Sequence, residues 1–163
     1  MSTRVYVPST LGRLRAVVTA DGLGPAPFVG HAVTPAVREE LADLGEEEWE
    51  YAASTAAAQS SLVMLHDDDP ARRVVIAVDV PSARPAGTED PTVVEVDEVV
   101  PFRLVGAVLA DAADAEDRVA AARDALVAGD ADADRLAERC LDHELGWWAA
   151  QEIGDLLAGT GLT

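Results

Sequence analysis

The chain has 163 residues, 49% of them hydrophobic, and 30 acids against 12 bases give it a net charge of −18. That length fits one domain with a sizeable core, and the hydrophobic content excludes a disordered chain. The charge excludes direct nucleic-acid binding through phosphate neutralisation, because the field of the whole protein opposes it.

Arg4 to Val7 has the residue types of a short strand, closed by Pro8. Ser9 or Thr10 is placed to cap a helix in which Leu11, Leu14, Val17 and Val18 recur at helical spacing. A loop from Asp21 to Pro25 ends it, and Phe28 to Val33 reads as the next strand. Thr34-Pro35 marks a helix start, with Thr as cap and Pro at the first helical position. The helix breaks near Gly45 and resumes at Glu46-Glu47-Glu48, acids suited to the positive end of the dipole. Trp49, Ala53, Ala56, Ser60, Val63 and Met64 then make one stripe, and Asp67 to Pro70 ends it as a turn. Val74 to Val78 is apolar without alternation, as in a strand covered on both faces.

The proline-bearing stretch Pro81 to Pro91 reads as a loop. Thr92 to Val96 alternates like a half-exposed strand, and Leu104 to Ala110 reads as another buried one. Helices are expected over Glu116–Ala128 and Asp134–Leu157. The expected architecture is therefore α/β: a single-domain mixed sheet of four to five strands in the order β-α-β-α-β-β-α-α over residues 1–157, with a loose tail at 158–163. A ferredoxin-like α+β sandwich is the alternative.

All the basic residues are arginine, asparagine is absent, and there are 31 alanines but only two isoleucines, Ile76 and Ile153. Lys, Asn and Ile have A/T-rich codons and Ala, Arg, Gly and Pro G/C-rich ones, so a GC-rich genome is expected. The single Cys140 has no partner for an internal disulfide. The first residues lack a signal-peptide core, and no apolar run approaches the roughly 20 residues of a membrane span. A cytoplasmic protein without membrane contact is expected.

His143-Glu144-Leu145-Gly146-Trp147 begins like a zinc-protease helix, but Trp147 stands where the second histidine must be. Cys140, His143 and Glu144 would share a helix surface if residues 134–157 were helical, which makes them candidate metal ligands; the plainer reading is that Cys140 packs as a small hydrophobe. Asp130, Asp132 and Asp134 start like a calcium loop that lacks its glycine and its terminal glutamate. Asp79 and Asp111 each end a buried strand, where ligands of open parallel sheets gather. Two carboxylates there would serve as an acid–base pair or hold Mg²⁺, and Thr34 would donate to an anion nearby. Aspartate is also common where strands turn into loops. Trp147 and Trp148 lie about 100° apart on the expected helix, so one indole can join the core stripe while its neighbour points elsewhere. The plainer reading is that both fold into the domain; the sharper one is that they form a partner or self-association surface, where tryptophan is enriched. No phosphate loop, serine-hydrolase elbow or complete metal motif is present, and no cofactor is expected.

Several segments in order, Arg4 to Thr10, His31-Ala-Val-Thr-Pro-Ala-Val-Arg-Glu39, Glu50-Tyr-Ala-Ala53, Arg72 to Pro81 and Leu145 to Ile153, resemble a family of small acidic proteins from high-GC Gram-positive bacteria. Ala-Val-Thr-Pro and Val-Asp-Val-Pro are its most distinctive pieces. The resemblance covers most of the chain and implies no activity, since that family has no assigned function. The expected role is a non-enzymatic interaction or regulatory module that meets a basic protein surface or its own copy. Two other roles compete: an enzyme using the strand-end carboxylates with a small molecule or divalent metal, and an acidic mimic of nucleic acid.

Overall fold

The computed structural model describes residues 1–161. Among them are nine strands and six α-helices. Seven strands form one sheet in the order β5-β6-β3-β1-β4-β8-β9. These are β1 (Thr3–Ser9), β3 (Phe28–His31), β4 (Val74–Val80), β5 (Arg84–Pro85), β6 (Val93–Val96), β8 (Val105–Ala110) and β9 (Gly146–Ala149). The remaining two, β2 (Gly22–Leu23) and β7 (Val100–Pro101), pair separately.

Every pairing in the sheet is antiparallel. Seven strands in one antiparallel sheet, with a separate two-stranded pair, overturn the expected mixed sheet of four to five strands. The ferredoxin-like alternative falls too, since that sandwich has four strands with helices on one face, whereas seven strands join here and helices cover both faces. The continuous apolar run of β4 misled for a physical reason. It reports that both faces of the strand are covered, which helices achieve here over an antiparallel sheet as readily as over a parallel one.

The covering layers explain that run. On one face, α1 (Leu11–Ala20) and α6 (Ile153–Gly159) bring Leu11, Leu14, Ile153 and Leu156 onto Val5, Ile76, Val78 and Val108. On the other, α3 (Glu46–Met64) lays Ala57 and Ala58 against Val75. Behind α3, α4 (Glu116–Ala128) packs through Val119 and Ala122 onto Leu62 and Leu65, joined by Cys140 from the segment after α5 (Ala133–Arg139). Alanine is the recurrent contact residue because its methyl lets a helix axis approach the sheet closely.

The helix starts follow local chemistry. Thr10 caps α1, its Oγ1 accepting the Arg13 amide at 3.1 Å, and Thr34 caps α2 (Pro35–Glu40), with Pro35 in the first turn. At the start of α3 the Glu48 carboxylate accepts the Gly45 amide at 3.0 Å. The buried stripe of α3 is Ala53, Ala57, Ala58, Ser61 and Leu62, rotated from the expected one, and Val63 is exposed. Gly30 is required where β3 crosses β1: an added Cβ there would meet the Val5 side chain and the Tyr6 carbonyl oxygen.

The largest departure is at residues 134–157, expected as one helix. The chain instead runs through α5, a 3-10 turn at Cys140–Asp142, strand β9, a second 3-10 turn at Ala150–Glu152, and α6. Gly146 followed by two tryptophans favours extended backbone, and pairing with β8 decides the matter. Helix α6 continues to Gly159; residues 162–163 of the expected tail lie outside the described residues. No helix among the described residues is long and apolar enough to cross a membrane.

Candidate functional site

Strand β9 pairs with β8 through Ala107–Ala149, Val108–Trp148, Leu109–Trp147 and Ala110–Gly146, and it is an end strand of the sheet. Because successive side chains of a strand face opposite ways, the two tryptophans separate. Trp148 turns to the α1/α6 side and packs on the main core. Trp147 turns to the other side, across from Leu109, and is 64% exposed. The tryptophans therefore divide through strand alternation and not through rotation about the expected helix.

Beside Trp147 lies a groove of about 280 Å³ between α3 and the end of the sheet, walled by Tyr51, Leu109, Leu141, Leu145 and Glu144. Tyr51 is as exposed as Trp147, and Leu141 is also exposed. The outer edge of β9 has no neighbouring strand among the described residues. Glu152 Oε2 accepts the Ala149 amide at 2.8 Å, which closes one rung; by the two-residue alternation of an antiparallel ladder, the Trp147 amide and carbonyl face the same outward way. At the opposite end of the sheet β5 is two residues long and contains Pro85, the blunted form that discourages pairing.

Charge around this edge is acidic. From residue 142 to 152 the chain carries Asp142, Glu144 and Glu152 and no arginine. Two arginines reach this region, Arg73 at the groove wall and Arg118 on Asp142, and both are ion-paired; in all, eight of the twelve arginines make ion pairs.

Asp79 and Asp111 do not meet. Strands β4 and β8 are antiparallel, so their C-terminal ends lie at opposite ends of the sheet, some 15–20 Å apart at about 3.3 Å per residue. Asp79 accepts two bonds from Arg4, at 2.7 and 3.0 Å, and that guanidinium holds its carboxyl below the usual range. Asp111 is buried against Arg73. The pocket expected between the two aspartates requires parallel strands and does not form. Thr34 is also engaged internally: its hydroxyl accepts the Val37 amide at 3.3 Å and donates to the Pro91 carbonyl at 2.5 Å.

Cys140, His143 and Glu144 do not share a helix face. Cys140 is buried in the α3–α4 cluster, with its thiol directed at the Leu136 and Arg118 carbonyls, and burial pushes that thiol up. His143 and Glu144 line the groove on the other side of the turn. Among the described residues no group of three or more His, Cys, Asp or Glu is arranged to hold a metal. The Asp130 carboxylate accepts the Asp132 amide at 2.9 Å, shaping the entry to α5.

One polar cluster has no counterpart in the sequence motifs: His31 and Thr92 are buried, Ser60 is half-buried and Asp90 is exposed. His31 on β3 contacts Ser60 Oγ through Nε2 at 3.0 Å and Thr92 Oγ1 through Nδ1 at 2.7 Å. Thr92 donates in turn to Asp90 Oδ1 at 2.6 Å, and Asp90 Oδ2 lies 3.8 Å from His31 Nδ1. Burial pushes the imidazole down, with Asp90 acting the other way. The set has the residue types of a nucleophile–base–acid chain, but Ser60 lies within α3, where the surrounding amides are engaged in the helix and supply no oxyanion donors. Its evident work is structural, tying β3 to α3 and to the segment before β6. Residues 31, 60, 90 and 92 follow no spacing that would have joined them in the sequence.

Residues 3–157 match the sequence model of a family described as "Family of unknown function (DUF6912)". No curated protein matches the chain, and no solved structure matches it.

Proposed function

As the chain belongs to a family of unknown function, DUF6912, we propose its role from its own geometry: a non-enzymatic interaction module that binds an extended basic segment of a partner protein along β9. The observation that carries this reading is Trp147, a large exposed aromatic on an end strand with an outward-facing backbone rung. A bound strand would continue the sheet through main-chain hydrogen bonds, and its alternate side chains would fall beside Trp147 and into the Leu109–Leu141–Leu145 groove. Acids at 144 and 152 and the net charge of −18 favour a basic partner, chiefly in encounter rate and specificity. The amino-acid composition supports a GC-rich source and a cytoplasmic setting for that encounter, and the family resemblance supports a Gram-positive source.

The test is selection from a displayed library of random octapeptides against the full chain and against Trp147→Pro. Proline removes the outward amide at a position where sheet edges tolerate it. Enrichment of peptides with alternating apolar and Lys/Arg positions, lost in Trp147→Pro, is the expected result. Selection of no such pattern, or equal binding to the variant, overturns the reading. A concentration-dependent dimer that Trp147→Pro dissociates would replace the basic partner with a second copy.

A further inference from the structure

A second cleft, independent of the β9 edge, opens on the α1/α6 side of the sheet. It lies between α1 and strands β1 and β3 and has a volume of about 570 Å³, within the range of small-molecule sites. Its wall is largely apolar, with Val7, Val17, Leu23, Phe28 and Ile76 among the lining residues. Only two lining residues, Ser9 and Arg13, have polar side chains. The Ser9 hydroxyl is engaged, donating to the Thr10 carbonyl at 3.2 Å.

Arg13 is different. It is exposed and absent from the eight ion-paired arginines. Helix α1, Leu11–Ala20, carries Arg13 and Arg15 and no acid, in a chain where acids outnumber bases 30 to 12. A local cationic helix in so acidic a protein, with one guanidinium at the wall of an apolar cleft, is complementary to a ligand with an apolar body and one negative head.

We propose that this cleft binds a small amphipathic carboxylate, its hydrocarbon part against Val7, Val17, Phe28 and Ile76 and its head group on Arg13. Burial of the hydrocarbon supplies affinity, since each methylene removed from water contributes favourably. The planar guanidinium fork matches a carboxylate bidentately and so selects the head group.

Titration calorimetry with decanoate, decanol and decyltrimethylammonium at submicellar concentration tests this on the full chain. Decanoate should bind saturably at one site, decanol roughly three- to tenfold more weakly, and the cation more weakly still. Arg13→Gln should lower decanoate affinity to that of decanol and leave decanol unchanged, a split that a purely structural role for Arg13 would not produce. Ala16→Trp should fill the cleft and remove both. If Ala16→Trp loses its fold, the Arg13→Gln comparison decides alone, because that side chain is exposed. No saturable decanoate binding, equal affinity for decanoate and the cation, or decanoate binding indifferent to Arg13→Gln each overturns the proposal.

Discussion

Arg73 and Asp111 are joined by four hydrogen bonds. Arg73 Nε donates to Asp111 Oδ2 at 2.9 Å and Nη2 to Oδ1 at 2.8 Å, while the Arg73 amide donates to Oδ2 at 2.8 Å. The Asp111 amide completes the set by donating to the Arg73 carbonyl at 3.0 Å. Both side chains are almost wholly buried, at 3% and 0% exposure. The pair locks the start of β4 to the end of β8, and a further Nη2 bond to the His143 carbonyl, 3.0 Å, fixes the approach to β9. An aspartate with the sequence look of a catalytic group is therefore a structural clamp.

Asp111→Asn should leave the Arg73 charge buried without its counter-ion. Breaking a buried pair from one side costs about 3–5 kcal/mol, which for a domain of this size lowers the melting temperature by roughly 10 °C. Replacing both residues, Arg73→Met with Asp111→Leu, should be milder than either single change. Thermal denaturation of Asp111→Asn, of Arg73→Met and Asp111→Leu singly, and of the double variant checks this, and additive losses would refute the clamp.

Ser61 joins two strands from a helix. Its hydroxyl donates to the Ser9 carbonyl at 2.7 Å and accepts the Val74 amide at 2.9 Å, with the side chain fully buried. Ser61→Ala should strand both backbone groups and cost about 1–3 kcal/mol. Ser60→Ala, one residue away, leaves those two bonds intact and should cost less. Urea denaturation of the two variants makes the comparison.

The His31 cluster gives stability a pH dependence. Burial lowers the imidazole pKa in the folded chain, whereas the unfolded value stays near 6.5. Between those values the unfolded chain binds the proton more readily, so stability rises with pH through that window and is lost on acidification below about 6.5. His31→Gln, whose amide can still contact Ser60 and Thr92, should flatten the decline between pH 7 and 5. An unchanged slope in melting temperature against pH would exclude His31 as its source.

The two tryptophans should separate stability from binding. Trp148→Ala removes a ring packed on the core and should cost about 2 kcal/mol or more, less than a fully buried aromatic would. Trp147→Ala removes an exposed ring and should stay within about 0.5 kcal/mol of wild type while abolishing capture of the selected basic peptide. Comparable destabilisation by both would make Trp147 a core residue and remove the docking surface.

Local chemistry made most elements legible in the sequence. Thr10 and Thr34 at helix starts, Pro35 in a first turn, Gly45 before three glutamates and the β-branched run at 74–78 act within a few residues of themselves, and a helix or strand begins at each. Charge and composition were equally direct. Pairing was not. Strand direction, the antiparallel order β5-β6-β3-β1-β4-β8-β9 and the conversion of residues 146–149 from expected helix to end strand all depend on contacts between residues far apart in the chain. The same dependence separated Asp79 from Asp111, which share a sequence context but sit at opposite ends of antiparallel neighbours. It also brought His31, Ser60, Asp90 and Thr92 together and left Arg13 beside an apolar cleft. A hydrophobic pattern records how much of an element is covered; which neighbour covers it, and in which direction that neighbour runs, is decided only when the whole sheet closes.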